Sequence, residues 1–133
     1  MIYFLDTNIC IYALKGTYPK IPSRLVQISA ARIKIPAIVR AELLLGVRSS
    51  KNPSHAADVL EKFLYPFEIV PFDRDASEAY ADVRYALEKK GSPIGPNDLL
   101  IAATVLSRHG CLITHNCREF SRVSALKIED WCV

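Results

Sequence analysis

Four carboxylates in this 133-residue chain stand beside apolar runs, where a free charge needs a reason. Asp6 directly follows the apolar residues 2–5, in L-D-T-N, at the carboxyl end of what reads as a buried strand. A helix cap would explain Asp6 equally well, and Asn8 too. Glu42 lies within the helix-forming stretch 38–47, four residues after Ile38 and three before Leu45, which places all three on one face. A carboxylate on an apolar face calls for a partner, either a metal or a cation such as Arg40 or Arg48. Asp98 follows I-G-P-N and precedes the apolar residues 99–103. A first-turn acid gains only about 0.3–1 kcal/mol from the helix dipole, which is the plain alternative for Asp98. Asn116 and Glu119 follow the strand-like residues 111–114, in T-H-N-C-R-E-F, where Glu119 could instead pair with Arg118 or Arg122 on the surface.

Together these positions suggest one site. Several acids brought close repel and drive some pKa values up. A hard divalent cation relieves that repulsion, and Mg²⁺ or Mn²⁺ prefers oxygen ligands with several waters retained. Such a site suits hydrolysis of a phosphodiester, where the cation activates water and neutralises phosphoryl charge. Other chemistries lack their residues. The chain has no G-x-x-x-x-G-K-[ST] for a nucleotide and no G-x-S-x-G elbow. An aspartyl phosphatase would want D-x-D after the first strand, and the third residue here is Asn8. A zinc site from His109, Cys111, His115 and Cys117 lacks standard spacing.

The elements that must position these acids follow from the alternation of short apolar runs with helical stretches. Strands are predicted at residues 2–5, 33–36, 68–72, 111–114 and 126–128. Helices are predicted at 7–14, ended by Gly16, and at 22–31, 38–47, 53–64, 75–90 and 96–108. Pro53 and Pro96 sit at first turns, and Gly91 ends the longest helix. This alternation predicts an α/β fold: a short, mostly parallel sheet with helices on both faces, in one domain spanning 1–133. In such sheets ligands collect at the carboxyl ends of the strands, where Asp6 and Glu119 are expected.

Composition sets the outer limits. Half of the residues are hydrophobic, enough for a core, and no run is long enough to span a bilayer. The start lacks a basic leader, so a cytoplasmic protein with no membrane attachment is expected, with its four cysteines as buried reduced thiols. The net charge of +3 is too small to argue for nucleic acid by itself.

The motifs taken together resemble PIN-domain ribonucleases, and within them the VapC-type toxins. The resemblance rests on L-D-T-N-I at 5–9, A-E-L-L-L-G at 41–46, I-G-P-N-D-L-L-I-A-A at 94–103, T-H-N-C-R-E-F-S-R-V at 114–123 and I-E-D-W at 128–131. These motifs span the chain in the family's order. The resemblance implies a PIN-like fold with a catalytic site at Asp6, Glu42, Asp98 and Glu119, in which Asp6 and Asp98 bind Mg²⁺ or Mn²⁺ most directly. Thr7, Asn8 and Asn116 would support it by hydrogen bonding. Many PIN domains carry an aspartate where this chain has Asn116, so the fourth acid is carried to Glu119. The resemblance further implies an endoribonuclease that cuts structured RNA such as tRNA or rRNA. It would work as a homodimer, restrained by a cognate antitoxin whose Arg or Lys enters the acidic pocket. Two alternatives stand beside this reading: a degenerate PIN domain that binds RNA without cutting, and a metal-dependent DNA nuclease.

Overall fold

The structure, a computed structural model, describes residues 1–133. Five strands form one sheet in the order β3-β2-β1-β4-β5, and every neighbouring pair is parallel. The strands are β1 (Tyr3–Leu5), β2 (Ile33–Pro36), β3 (Glu68–Val70), β4 (Cys111–Ile113) and β5 (Lys127–Glu129). Seven helices alternate with them: α1 (Thr7–Lys15), α2 (Lys20–Gln27), α3 (Ala37–Arg48), α4 (Pro53–Leu64), α5 (Arg74–Lys90), α6 (Pro96–Ser107) and α7 (Cys117–Phe120). No helix is long and apolar enough to cross a membrane.

The central strands are buried on both faces. Phe4 with Leu5, and Leu112 with Ile113, are consecutive residues that point to opposite sides, and all four are fully buried. A sheet of this kind needs helices on both sides, and the sheet is wholly rather than mostly parallel. Gly110 permits the close approach of the turn before β4 to β1. A Cβ there would lie 2.5 Å from the Phe4 ring, too near for any larger residue.

Local chemistry sets the helix ends. Asn52 caps α4 by accepting from the His55 N–H, and Pro53 takes the first turn. Asp73 caps α5 by accepting from the Ala76 N–H, and Gly16 closes α1 in the left-handed region at φ 68°. Two expectations shift. The helix expected over 22–31 is α2 followed by a separate 3-10 turn at Ala30–Arg32, with Pro22 in the first turn, where its missing N–H has no partner to lose. The four-residue α7 was not foreseen, because a single turn has no periodicity to read.

Candidate active site

Parallel pairing of β1 with β4 brings the first two polar groups together. Leu5 registers with Ile113, so the next residues, Asp6 and Thr114, emerge side by side. The buried Thr114 hydroxyl donates to Asp6 Oδ2 at 2.8 Å, and the Thr7 N–H donates to Oδ1 at 2.8 Å. The cap reading of Asp6 holds, since the residue caps α1, and the same carboxyl is only 6% exposed at the end of β1. Burial raises its pKa, and the bonds from Thr114 and Thr7 oppose the rise.

Glu42 arrives from α3. Its Oε1 accepts from the Thr7 hydroxyl at 2.5 Å, and its Oε2 accepts from the Asn97 amide at 3.1 Å. Neither Arg40 nor Arg48 pairs with it. The face assignment needs correction. The core stripe of α3 is Val39 and Leu43, one turn apart, whereas Leu45 is 66% exposed. Glu42 thus borders the core and faces the site from beside it.

Asp98 and Glu119 complete the group. Pro96 starts α6 just after Gly95, so Asp98 lies in the first turn, ahead of the buried residues Leu99, Ile101, Ala102 and Ala103. Glu119 on α7 reaches back to the same turn, where its Oε1 accepts from the Gly95 N–H at 2.6 Å. Its Oε2 accepts from the Asn116 amide at 3.1 Å. A Cβ on Gly95 would lie 3.5 Å from both Asp98 Oδ2 and Glu119 Oε1, ordinary contact distances that show both carboxyls gathered at this turn. Burial, followed by the charges of Glu119 and Asp6 and a bond to Glu119, pushes Asp98 up to about 7. Glu119 is held below its ordinary value, first by the Gly95 N–H. The two carboxyls therefore titrate as a pair, with the Gly95 N–H and the Asn116 amide favouring the charge on Glu119.

Neither Arg118 nor Arg122 forms an ion pair with Glu119; Arg122 donates instead to the Pro93 carbonyl at 2.8 Å, although its charge helps to lower the Glu119 pKa. None of the four acids forms an ion pair with lysine or arginine; Asp6, Glu42 and Glu119 accept from hydroxyls, amides and backbone N–H groups, and Asp98 meets Glu119. No three of them bring ligand oxygens within 4.8 Å of one another, which leaves space between the carboxylates.

Of the supporting residues, Thr7 and Asn116 bond to site acids as expected. Asn8 does not: one residue further along α1 it turns about 100° away from Thr7 and is exposed. Sequence reasoning missed Asn97 and Thr114. Asn97 directly precedes Asp98, and Thr114 is a polar residue closing an apolar strand, the same signal that marked Asp6. The four residues weighed as a zinc set are not assembled, because exposed His109 and buried Cys111 lie at one end of β4 while His115 and Cys117 follow the other. Of the four thiols, Cys10 and Cys111 are buried and Cys117 and Cys132 only partly so.

Comparison with known proteins agrees with this architecture. The family described as PIN domain matches residues 3–126. The chain is 35% identical over 130 residues to the tRNA(fMet)-specific endonuclease VapC of Salmonella typhimurium, covering 98% of each chain. It is 40% identical over 133 residues to Ribonuclease VapC2 of Rickettsia felis, again covering 98% of each. Among solved structures, it superposes with TM-score 0.94 on a chain of DNA-bound VapBC from Salmonella typhimurium, at 35% identity over 99% of both chains. It superposes with TM-score 0.92 on a chain of VapBC2 from Rickettsia felis bound to a promoter DNA fragment, at 38% identity over 98% of this chain and 99% of that one. A parallel sheet that gathers carboxylates at its carboxyl edge, matched in sequence and fold along nearly the whole chain, makes this protein a member of the PIN-domain family, in its VapC-type ribonuclease branch.

Proposed function

We propose that this chain is a metal-dependent endoribonuclease, the toxin of a toxin–antitoxin pair, which hydrolyses phosphodiester bonds of structured RNA at Asp6, Glu42, Asp98 and Glu119. The observation that carries this reading is the convergence of four acids without a lysine or arginine partner: Asp6, Glu42 and Glu119 accept from neutral donors, and Asp98 meets the Glu119 carboxyl. Such a site keeps its negative charge for something that arrives from outside. Relatives at 33–40% identity over nearly the full chain carry ribonuclease names, which supports RNA as the substrate, with tRNA as the first to test.

The donor set fits a hard cation, since all four candidate ligands are carboxylates. Their spacing leaves room for retained water, the habit of Mg²⁺ and also suited to Mn²⁺. Asp6 and Asp98 would hold the ion. When bound, it supplies Lewis-acid activation of the attacking water and neutralises charge on the phosphoryl group. The remaining work falls to the chain itself. Thr114 and the Thr7 N–H fix both oxygens of Asp6, while the Thr7 hydroxyl and Asn97 fix both oxygens of Glu42. The carboxyl of Asp98, poised near neutrality beside Glu119, can hold or release a proton at the site. The Asn116 amide donates to Glu119, which supports Glu119 as the fourth acid and favours cutting over the binding-only alternative.

The partner reading also has a physical basis. Glu42 forms one wall of an apolar groove of about 440 Å³ lined by Ile11, Leu14, Leu43, Val47 and Leu60. An antitoxin segment could lay apolar side chains there and extend an Arg or Lys into the carboxylates, where a charge-assisted pair would block the site. The whole of 1–133 would act as one cytoplasmic domain, working as a homodimer.

Incubation of the purified protein with total RNA tests the proposal. Cleavage should stop with EDTA and return with Mg²⁺ or Mn²⁺ but not with Zn²⁺, and Asp98→Asn should be inactive. Cleavage that ignores EDTA, or survives Asp98→Asn, would refute it and point to the three histidines instead.

A further inference from the structure

Beyond the carboxylate pocket, the same sheet edge gathers a second set of potential metal ligands of different chemistry. Strands β4 and β5 run parallel with Ile113 opposite Glu129, so the residues just past each strand come together. His115 Nδ1 lies 2.9 Å from Asp130 Oδ2, and one ligand atom each of His115, Asp130 and Cys132 lies within 4.8 Å of the other two. The backbone holds the carboxylate in place, since Asp130 Oδ1 accepts from the Cys132 N–H at 2.8 Å. His115 is packed between partners as well as reaching solvent. Its ring sits 5.6 Å from that of Tyr18 and 6.2 Å from that of Tyr12, while 42% of its side chain is exposed. None of these residues bonds to the four acids of the candidate active site.

We infer that His115, Asp130 and Cys132 form a Zn²⁺ site, separate from the carboxylate pocket, with its fourth position open to solvent. Imidazole, thiolate and carboxylate on one ion suit zinc, whereas Mg²⁺ and Mn²⁺ avoid sulfur. With bonds of about 2.0–2.3 Å, neighbouring donors in a tetrahedral zinc site lie about 3.3–3.6 Å apart. His115 and Asp130 stand 2.9 Å apart and no donor pair is more than 4.8 Å apart, so small rotations of the exposed His115 and the partly buried Asp130 and Cys132 can bring the donors into that range. Binding would expel the thiol proton of Cys132 and any proton lying between His115 and Asp130. The ion would tie the turn after β4 to the chain after β5. That turn leads through Asn116 into α7, which carries Glu119, so zinc here would stiffen one wall of the acidic pocket.

Cobalt reports on sulfur ligation and tests this assignment without relying on RNA cleavage. Metal-free Asp98→Asn protein, kept reduced and in excess Mg²⁺, is titrated with Co²⁺ and then with Zn²⁺. A thiolate-to-cobalt charge-transfer band should grow to one equivalent and be bleached by Zn²⁺. Adding Cys132→Ser should abolish the band, and adding His115→Ala should weaken Co²⁺ binding by at least about 10–100-fold, the range for disturbed metal sites. His115 is exposed, so its loss leaves the core intact. Zinc should also raise the Tm of Asp98→Asn and leave that of the Cys132→Ser double variant unchanged. No sulfur band in Asp98→Asn, or a band unaltered by Cys132→Ser, would overturn the site.

Discussion

At Asp73 a carboxylate meets a guanidinium, whereas at Asp98 carboxylates meet one another. Asp73 caps α5, accepts from Arg108 at 2.7 Å, and has its pKa lowered chiefly by that bond. Asp98 also lies at a helix start, but burial and its acidic neighbours push it up to about 7. Both satisfy the preference for acids at helix N-termini, Asp73 as the cap and Asp98 in the first turn, so a place at a helix start does not separate their roles. The difference lies in what the tertiary structure brings opposite each one. Asp73 is neutralised from within and serves the fold. The four site acids are left with a shared deficit of positive charge, which destabilises the empty protein and favours a cation.

The contrast can be broken most sharply at Asp6. Asp6→Asn preserves shape and removes charge from the pocket, so cleavage of total RNA should fall by about 10³-fold or more, given the several kcal/mol a bound cation contributes. Circular dichroism and thermal melting should show an intact fold. Wild-type turnover in this variant would remove Asp6 from the site.

Glu119 sharpens the contrast at a second acid. Glu119→Gln should lower turnover roughly 10–100-fold and shift the Mg²⁺ midpoint upward, in line with losses at disturbed metal sites. Asn116→Ala should cost less, since it removes only one orienting bond to Glu119. Cleavage rates measured against Mg²⁺ concentration rank the two, and an unchanged midpoint for Glu119→Gln would leave three acids to do the chemistry.

On the structural side, Asp73→Ala should lower the Tm by roughly 2–6 °C through loss of the α5 cap and of Arg108's partner, with cleavage per folded molecule unchanged. Loss of activity in this variant at a temperature where it remains folded would blur the distinction between the two kinds of acid.

The smallest effect concerns pH. Asp98 is raised above its ordinary value of 3.8 to about 7, so between those limits the native state binds the extra proton. Stability of the metal-free protein should therefore decline as pH rises from about 4 to 7, the opposite of a salt-bridged carboxylate. Glu119, with its pKa lowered, contributes the other way, but below its ordinary value of 4.5. Melting of wild type and Asp98→Asn in EDTA at pH 5.5 and 7.5 separates them: wild type should lose stability at the higher pH, and the variant should lose less. An equal response would mean that Asp98 does not hold the proton.

Much of this was legible in the residues. Apolar runs ending at Leu5 and Ile113, and helices bounded by Pro53, Pro96, Gly16 and Gly91, follow from burial and backbone preferences that act locally. Asp6 and Asp98 could be singled out because a charge next to a buried run is conspicuous wherever the chain goes. Other features depend on what folding brings from afar. The face of α3 was misjudged because Leu45 is apolar yet exposed, and only packing reveals that Val39 and Leu43 form the stripe. Thr114 meets Asp6 across 108 residues through strand register, and Asn97 meets Glu42 across 55. The single turn of α7 persists because Phe120 is buried and Glu119 is tied to the Gly95 N–H, neither of which leaves a local pattern. Sequence thus determined which residues carry charge at the edges of buried elements, because burial propensity is a property of short segments. Only the tertiary structure decided which of those charges face a cation and which face each other, because that depends on strand order and register, set by the whole chain at once.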